Sequence, residues 1–137
     1  MDSQTTQNQE PTASTPTEEK ILWVEDDSFL TDIIAQKLSE QHWRLLYARE
    51  GATALKMVEK EQPNAIILDI LLPGMDGLEV LKQLKANPAT QNIPVLMFSN
   101  IDDQAKIEQS KSLGAVGFFV KAMTSLETII AEIQKVL

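Results

Sequence analysis

Cysteine is absent from the 137 residues, which excludes disulfides, zinc–thiolate centres and thiol catalysis. Histidine occurs once, as His42, so the chain holds no multi-histidine metal site. Positive charge is scarce. Twelve Lys and Arg stand against 20 Asp and Glu, and the net charge of −8 has the wrong sign for nonspecific nucleic-acid binding. No apolar run approaches the roughly 20 residues that cross a bilayer, so membrane insertion is not expected. The N-terminal stretch lacks the basic start and apolar core of a signal peptide. A soluble, cytoplasmic protein is the expectation.

What is present fits one globular domain with a polar leader. Hydrophobic residues make up 43% and charged residues 23%, ordinary for a packed domain of this length. Residues 1–19 are Ser, Thr, Gln, Asn, Pro and Glu with almost nothing to bury. Such a composition cannot offset the entropy of ordering, and a disordered tail is expected there.

From Lys20 to Leu137 two periodicities alternate. Short apolar runs read as strands at Ile21–Val24, Trp43–Ala48, Ala65–Leu68, Ile93–Phe98 and Val116–Val120. Between and after them, helical spacing predicts a helix from about Ser28 and further helices over Gly51–Glu61, Gly77–Ala86, Asp102–Leu113 and Ser125–Leu137. In the first helix Leu30, Ile33, Ile34 and Leu38 share the apolar spacing, with Asp27 or Ser28 available as cap. Strictly alternating strands and helices with short connections imply an α/β fold, a parallel sheet covered on both faces in three layers. The flavodoxin-like order 2-1-3-4-5, a (βα)5 arrangement, fits these units and makes strands one and three neighbours.

The strand ends carry the chemistry. Ala65-Ile66-Ile67-Leu68 runs straight into Asp69, followed by Pro73-Gly74 in a turn; Ile21-Leu22-Trp23-Val24 runs into Glu25-Asp26-Asp27. In an open parallel sheet the carboxyl edge is where ligands bind. Two carboxylates about 4 Å apart repel by roughly 4 kcal/mol at an effective dielectric near 20, so Glu25, Asp26 and Asp69 together call for a cation or shifted pKa values. With oxygen donors alone, the ion expected is Mg²⁺, with Mn²⁺ as the alternative. Asp27 reads better as a helix cap than as a ligand. Strand four ends in Ser99 and strand five in Lys121. A carboxylate beside a cation, a hydroxyl and an ammonium is the set that forming an aspartyl phosphate requires.

At these residues the chain from Lys20 to Leu137 resembles the receiver domains of two-component response regulators. The resemblance rests on Ile21 to Asp27, Ile67 to Gly77, Pro94 to Ser99 and Gly114 to Lys121, in order and spacing. It implies that Asp69 is the phosphoacceptor, supplied by a histidine kinase or histidine phosphotransfer protein. Glu25, Asp26, Asp69 and the main-chain carbonyl of Leu71 would hold Mg²⁺. Ser99 would bond a phosphoryl oxygen and move inward on activation, Lys121 would pair with the phosphoryl group, and Phe118 would be the switch aromatic. The implied role is a signalling switch, not an enzyme beyond its own phosphorylation and slow self-dephosphorylation. A homodimer through helices four and five is open to such a domain.

Four positions depart from the family pattern or bear on its timing. Asn100 stands where Ala or Gly is usual, and Ala122 where a Pro in a cis peptide is usual; a trans bond is expected before Ala122, since cis costs about 2.5–4 kcal/mol there. Leu71 and Ile101 are apolar at positions that influence hydrolysis in the family, and apolar side chains cannot orient an attacking water. A long-lived phosphoryl state is therefore expected. The chain stops soon after its last helix, so the reading is a stand-alone, single-domain receiver. Its output would pass to an unknown protein partner through the face of helix four, strand five and helix five, carrying Lys106, Lys111, Glu127, Thr128 and Lys135. Two other readings compete: a receiver-like interaction module that is never phosphorylated, and a phosphatase turning over through an aspartyl phosphate. The second lacks the acid that haloacid-dehalogenase-type phosphatases carry where Leu71 stands.

Overall fold

A computed structural model describes residues 18–137. The expected tail lies outside the described residues save for its last two. Strands β1 (Lys20–Val24), β2 (Arg44–Ala48), β3 (Ala65–Leu68), β4 (Val95–Ser99) and β5 (Gly117–Val120) alternate with helices α1 (Ser28–Leu38), α2 (Gly51–Glu61), α3 (Gly77–Ala86), α4 (Gln104–Ser112) and α5 (Leu126–Val136). All pairings are parallel and the order is β2-β1-β3-β4-β5, as the sequence pattern predicts.

Side-chain alternation along each strand builds two cores. Leu22, Val24, Ile66, Leu68, Val95 and Met97 face α2 and α3, against Ala54, Val58, Leu81 and Leu84. Ile21, Trp23, Ala65, Ile67, Leu96 and Phe98 face α1 and α5, against Ile34, Leu38, Ile129 and Ile133. Burial on both faces explains why the central strands read as unbroken apolar runs.

Four of the five helices, α2 excepted, start at a side-chain acceptor, each worth about 1 kcal/mol. Asp27 Oδ1 accepts from the N–H groups of Phe29 and Leu30 at 3.0 and 3.2 Å, so its assignment as a cap holds. Asp76, Asp103 and Ser125 cap α3, α4 and α5 in the same way.

Several expectations shift, among them β2, which begins at Arg44 rather than Trp43, and β5, which begins at Gly117 rather than Val116. β4 begins at Val95 rather than Ile93: Pro94 has no N–H for the ladder, and the Ile93 carbonyl is taken by Lys85 Nζ at 2.8 Å. α4 begins at Gln104 because Asp103, not an earlier residue, caps it through the Ala105 N–H. The last helix begins one residue late for the same reason, Ser125 serving as cap. Ile33, expected inward, is 41% exposed, since the buried stripe of α1 runs through Ile34 and Leu38 and leaves Ile33 at its rim. A short 3₁₀ turn over Lys121–Met123, unmarked in the sequence pattern, follows β5.

Candidate functional site

The parallel register brings the two acidic strand ends together. Val24 pairs with Leu68, so the next residues out are Glu25 and Asp69, and the Asp69 N–H donates to the Val24 carbonyl at 3.2 Å. Both carboxylates are buried, Glu25 2% and Asp69 4% exposed. The loop after Asp69 folds back tightly. The Gly77 N–H donates to the Ile70 carbonyl at 2.8 Å, and any Cβ on Gly77 would collide with the main-chain carbonyl of Asp69. A glycine here lets the start of α3 sit directly beneath the acidic residue.

Lys121 lies between the two acids. Its Nζ donates to Asp69 Oδ2 at 2.7 Å and stands 2.5 Å from Glu25 Oε1. The Leu71 N–H donates to Asp69 Oδ1 at 3.2 Å, so both Asp69 oxygens are engaged. The Asp27 N–H donates to Glu25 Oε2 at 3.2 Å. Glu25 Oε1 has the Lys121 charge beside it but no aligned hydrogen bond. Burial pushes the Glu25 carboxyl above 4.5, and Lys121 only partly offsets this. For Lys121, burial acts to lower the ammonium, but the neighbouring carboxylates of Asp69 and Glu25 together outweigh burial and raise it above 10.5.

The remaining expected residues are placed as follows. Ser99 ends β4 fully buried, and its Oγ accepts from the Ile101 N–H at a long 3.4 Å. Asp26 is exposed, and its carbonyl accepts from Arg49. The Leu71 side chain is 58% exposed. Phe118 is half-buried on β5, paired in register with Met97 and packed on the α2–α3 core. Beneath the site Trp23 meets Phe98 edge to face, centroids 5.9 Å apart and planes at 85°, while Lys121 Nζ lies 5.9 Å from the Phe98 centroid.

Among the described residues no three His, Cys, Asp or Glu side chains gather as a ready metal cage. The donor set nonetheless suits a hard cation: it is all oxygen, and it includes the two adjacent buried carboxylates of Glu25 and Asp69. In this arrangement Lys121 supplies the positive charge that the two buried acids require.

Two features escaped the sequence reading. The Lys121–Glu25 pair depends on a side-chain rotamer, for which no sequence signal exists. The Ala122 N–H donates to Asn100 Oδ1 at 3.0 Å, and there is no cis peptide among the described residues. Both residues stood out in the sequence singly, but their pairing appears only once β4 and β5 lie side by side.

Comparison with known proteins agrees with this geometry. A family model described as the response regulator receiver domain matches residues 21–134. The sporulation initiation phosphotransferase F of Bacillus subtilis is 35% identical over 103 residues, 75% of this chain and 82% of that protein. The response regulator PleD of Caulobacter vibrioides is 34% identical over 102 residues, 74% of this chain but 22% of that much longer protein. Chemotaxis protein CheY4 of Vibrio cholerae superposes with a TM-score of 0.80 at 27% identity, covering 88% of this chain and 100% of that one. The Mn²⁺-bound form of response regulator Rcp1 superposes with a TM-score of 0.74 at 27% identity, covering 86% and 91%. No helix among the described residues is long and apolar enough to cross a membrane. A match over nearly all the described residues, on a fold whose two acidic strand ends close around one lysine, leaves one conclusion: this chain belongs to the response regulator receiver domains of two-component systems, signalling domains that accept a phosphoryl group on an aspartate.

Proposed function

We propose that this chain is a cytoplasmic phosphorylation switch in which Asp69 is the phosphoacceptor and a histidine kinase or histidine phosphotransfer protein is the donor. The observation that carries the reading is the buried Asp69 carboxylate held by Lys121 Nζ at 2.7 Å, from a strand end 52 residues away. An Asp69 oxygen attacks phosphorus, the P–N bond of the donor phosphohistidine breaks, and the electron pair leaves on the imidazole nitrogen. Lys121 shifts its Nζ from carboxylate to phosphoryl oxygen, and the Leu71 N–H keeps the carboxylate plane fixed through Oδ1. Ser99 Oγ, bound only by the long Ile101 contact, is free to turn to a phosphoryl oxygen. Glu25, Asp26, Asp69 and the Leu71 carbonyl would hold Mg²⁺, or Mn²⁺, which when bound supplies positive charge for the phosphoryl oxygens.

Output passes to a protein partner, or to a second copy through α4 and α5, with Phe118 following Ser99. The net charge of −8 favours a protein over direct nucleic-acid contact. Leu71 and Ile101 offer no group to orient water, so the phosphoryl state is long-lived.

Intact mass after incubation with acetyl phosphate tests this. One phosphoryl group should add only with Mg²⁺ and only when Asp69 is present, Asp69→Asn remaining unmodified. A folded protein that takes no phosphoryl group from acetyl phosphate or from a phosphohistidine donor would make it an interaction module instead. Loss of the adduct within seconds would overturn the assignment of Leu71 and Ile101.

A further inference from the structure

We propose that Asn100 is a positioning residue for Lys121, acting through a side-chain clamp on the following residue. The proposal rests on the role given to Asp69 and Lys121 above. The β4–β5 pairing ends at Ser99 opposite Val120. Beyond that point the main chains no longer bond to each other, yet the Asn100 side chain reaches the Ala122 N–H at 3.0 Å, 22 residues away in sequence. The clamp thus joins the residue after Ser99 to the residue after Lys121 and extends the strand pairing by one side-chain rung.

The chemistry of each partner is specific. Ala122 lies in the 3₁₀ turn Lys121–Met123, whose first N–H groups have no partner inside the turn. Only an acceptor can meet that N–H, which fixes the carboxamide with Oδ1 toward the turn. The other bond closing the turn, from the Thr124 N–H to the Lys121 carbonyl, is long at 3.4 Å. Both Asn100 and Ala122 are exposed, so no surrounding packing holds this geometry in place of the bond.

These are also the two residues at which the chain departs from the receiver pattern. The usual Pro at the Ala122 position has no N–H to donate, and the usual Ala or Gly at the Asn100 position has no side-chain acceptor. The two departures are the donor and the acceptor of one hydrogen bond. Without a proline to fix the backbone after Lys121, a bond from the neighbouring strand end does so. The position matters because the lysine stem is flexible and its Nζ stands between Glu25 and Asp69, so a small backbone shift changes which acid it meets.

The test combines backbone amide exchange by NMR with the kinetics of phosphorylation by acetyl phosphate, on the full chain. Asn100→Ala should speed exchange of the Ala122 amide about tenfold and lower the maximal phosphorylation rate about fivefold, the scale of one hydrogen bond, with little change in KM for the donor. Asn100→Asp keeps the acceptor and should restore protection of the Ala122 amide. In an Ala122→Pro background, which lacks the donor, Asn100→Ala should have no further effect on the rate. Unchanged Ala122 exchange in Asn100→Ala overturns the clamp, and so does a phosphorylation rate equal to or above that of the unaltered protein. Failure of the unaltered protein to take any phosphoryl group overturns the underlying reading and this role with it, a result distinct from equal rates in the two proteins.

Discussion

The two sides of the Asp69 site are built differently. On one side β3 is buried along its whole length and α3 packs Gly77, Leu78, Val80, Leu81 and Leu84 into the core. On the other, every residue of β5 is only half-buried and α4 buries Ser110 alone. Asp69 therefore sits on a base fixed by apolar packing, where any shift opens voids between close-packed side chains. Ser99 and Lys121 lead into a region held by polar bonds and partial contacts, which can rearrange at lower cost. Under the proposed function this inequality would keep the nucleophile in place while leaving the neighbouring surface free to respond.

The largest effect should come from the packed side. Leu81→Ala removes a fully buried side chain and should cost about 3 kcal/mol in urea unfolding, whereas Ile107→Ala on the half-buried face of α4 should cost about 1 kcal/mol. Equal losses would break the comparison.

Lys121→Met tests the junction of the two sides. It leaves two buried carboxylates without their ammonium and should cost about 2–3 kcal/mol at neutral pH, by denaturant unfolding in metal-free buffer. The pH dependence has a definite sign. With Lys121 gone, burial acts on Glu25 almost unopposed, so its folded carboxyl moves further above 4.5. The folded variant then holds a proton that the unfolded chain releases. Its stability falls as pH rises from 4.5 through the folded value and is recovered as pH is lowered again. A penalty that does not shrink on acidification would show that Glu25 is not the group left unpaired.

The smallest effect should come from Ser110→Ala. Its hydroxyl bonds the Ile107 carbonyl at 2.7 Å within the same helix, so stability should change by no more than about 0.5 kcal/mol. A loss well above that would show α4 to be seated more firmly than its packing indicates.

Legibility in the sequence followed the same division. α2, β3 and α3 were readable to the residue, because unbroken apolar runs and helical spacing meet Asp, Pro and Gly at their ends. The adjacency of Glu25 and Asp69 was readable too, since strand order follows from alternating units. The β5 side was less so. Val116 was expected in the strand, yet it is 55% exposed and only its N–H, bonded to the Val95 carbonyl, attaches it there. The 3₁₀ turn after Lys121 has no periodicity to detect, and the bond that fixes it comes from another strand. Local pattern encodes what is packed; what is held by single polar bonds emerges only from register.

The edge-to-face contact of Trp23 with Phe98 has an optical consequence. The indole, 1% exposed on β1, touches the ring above which the Lys121 ammonium lies. Indole emission responds to nearby charge, so the chain contains a gauge whose reading tracks where that ammonium goes. Replacing the other indole by Trp43→Phe would leave a single emitter, and each transfer event could then be followed by light without attaching a dye.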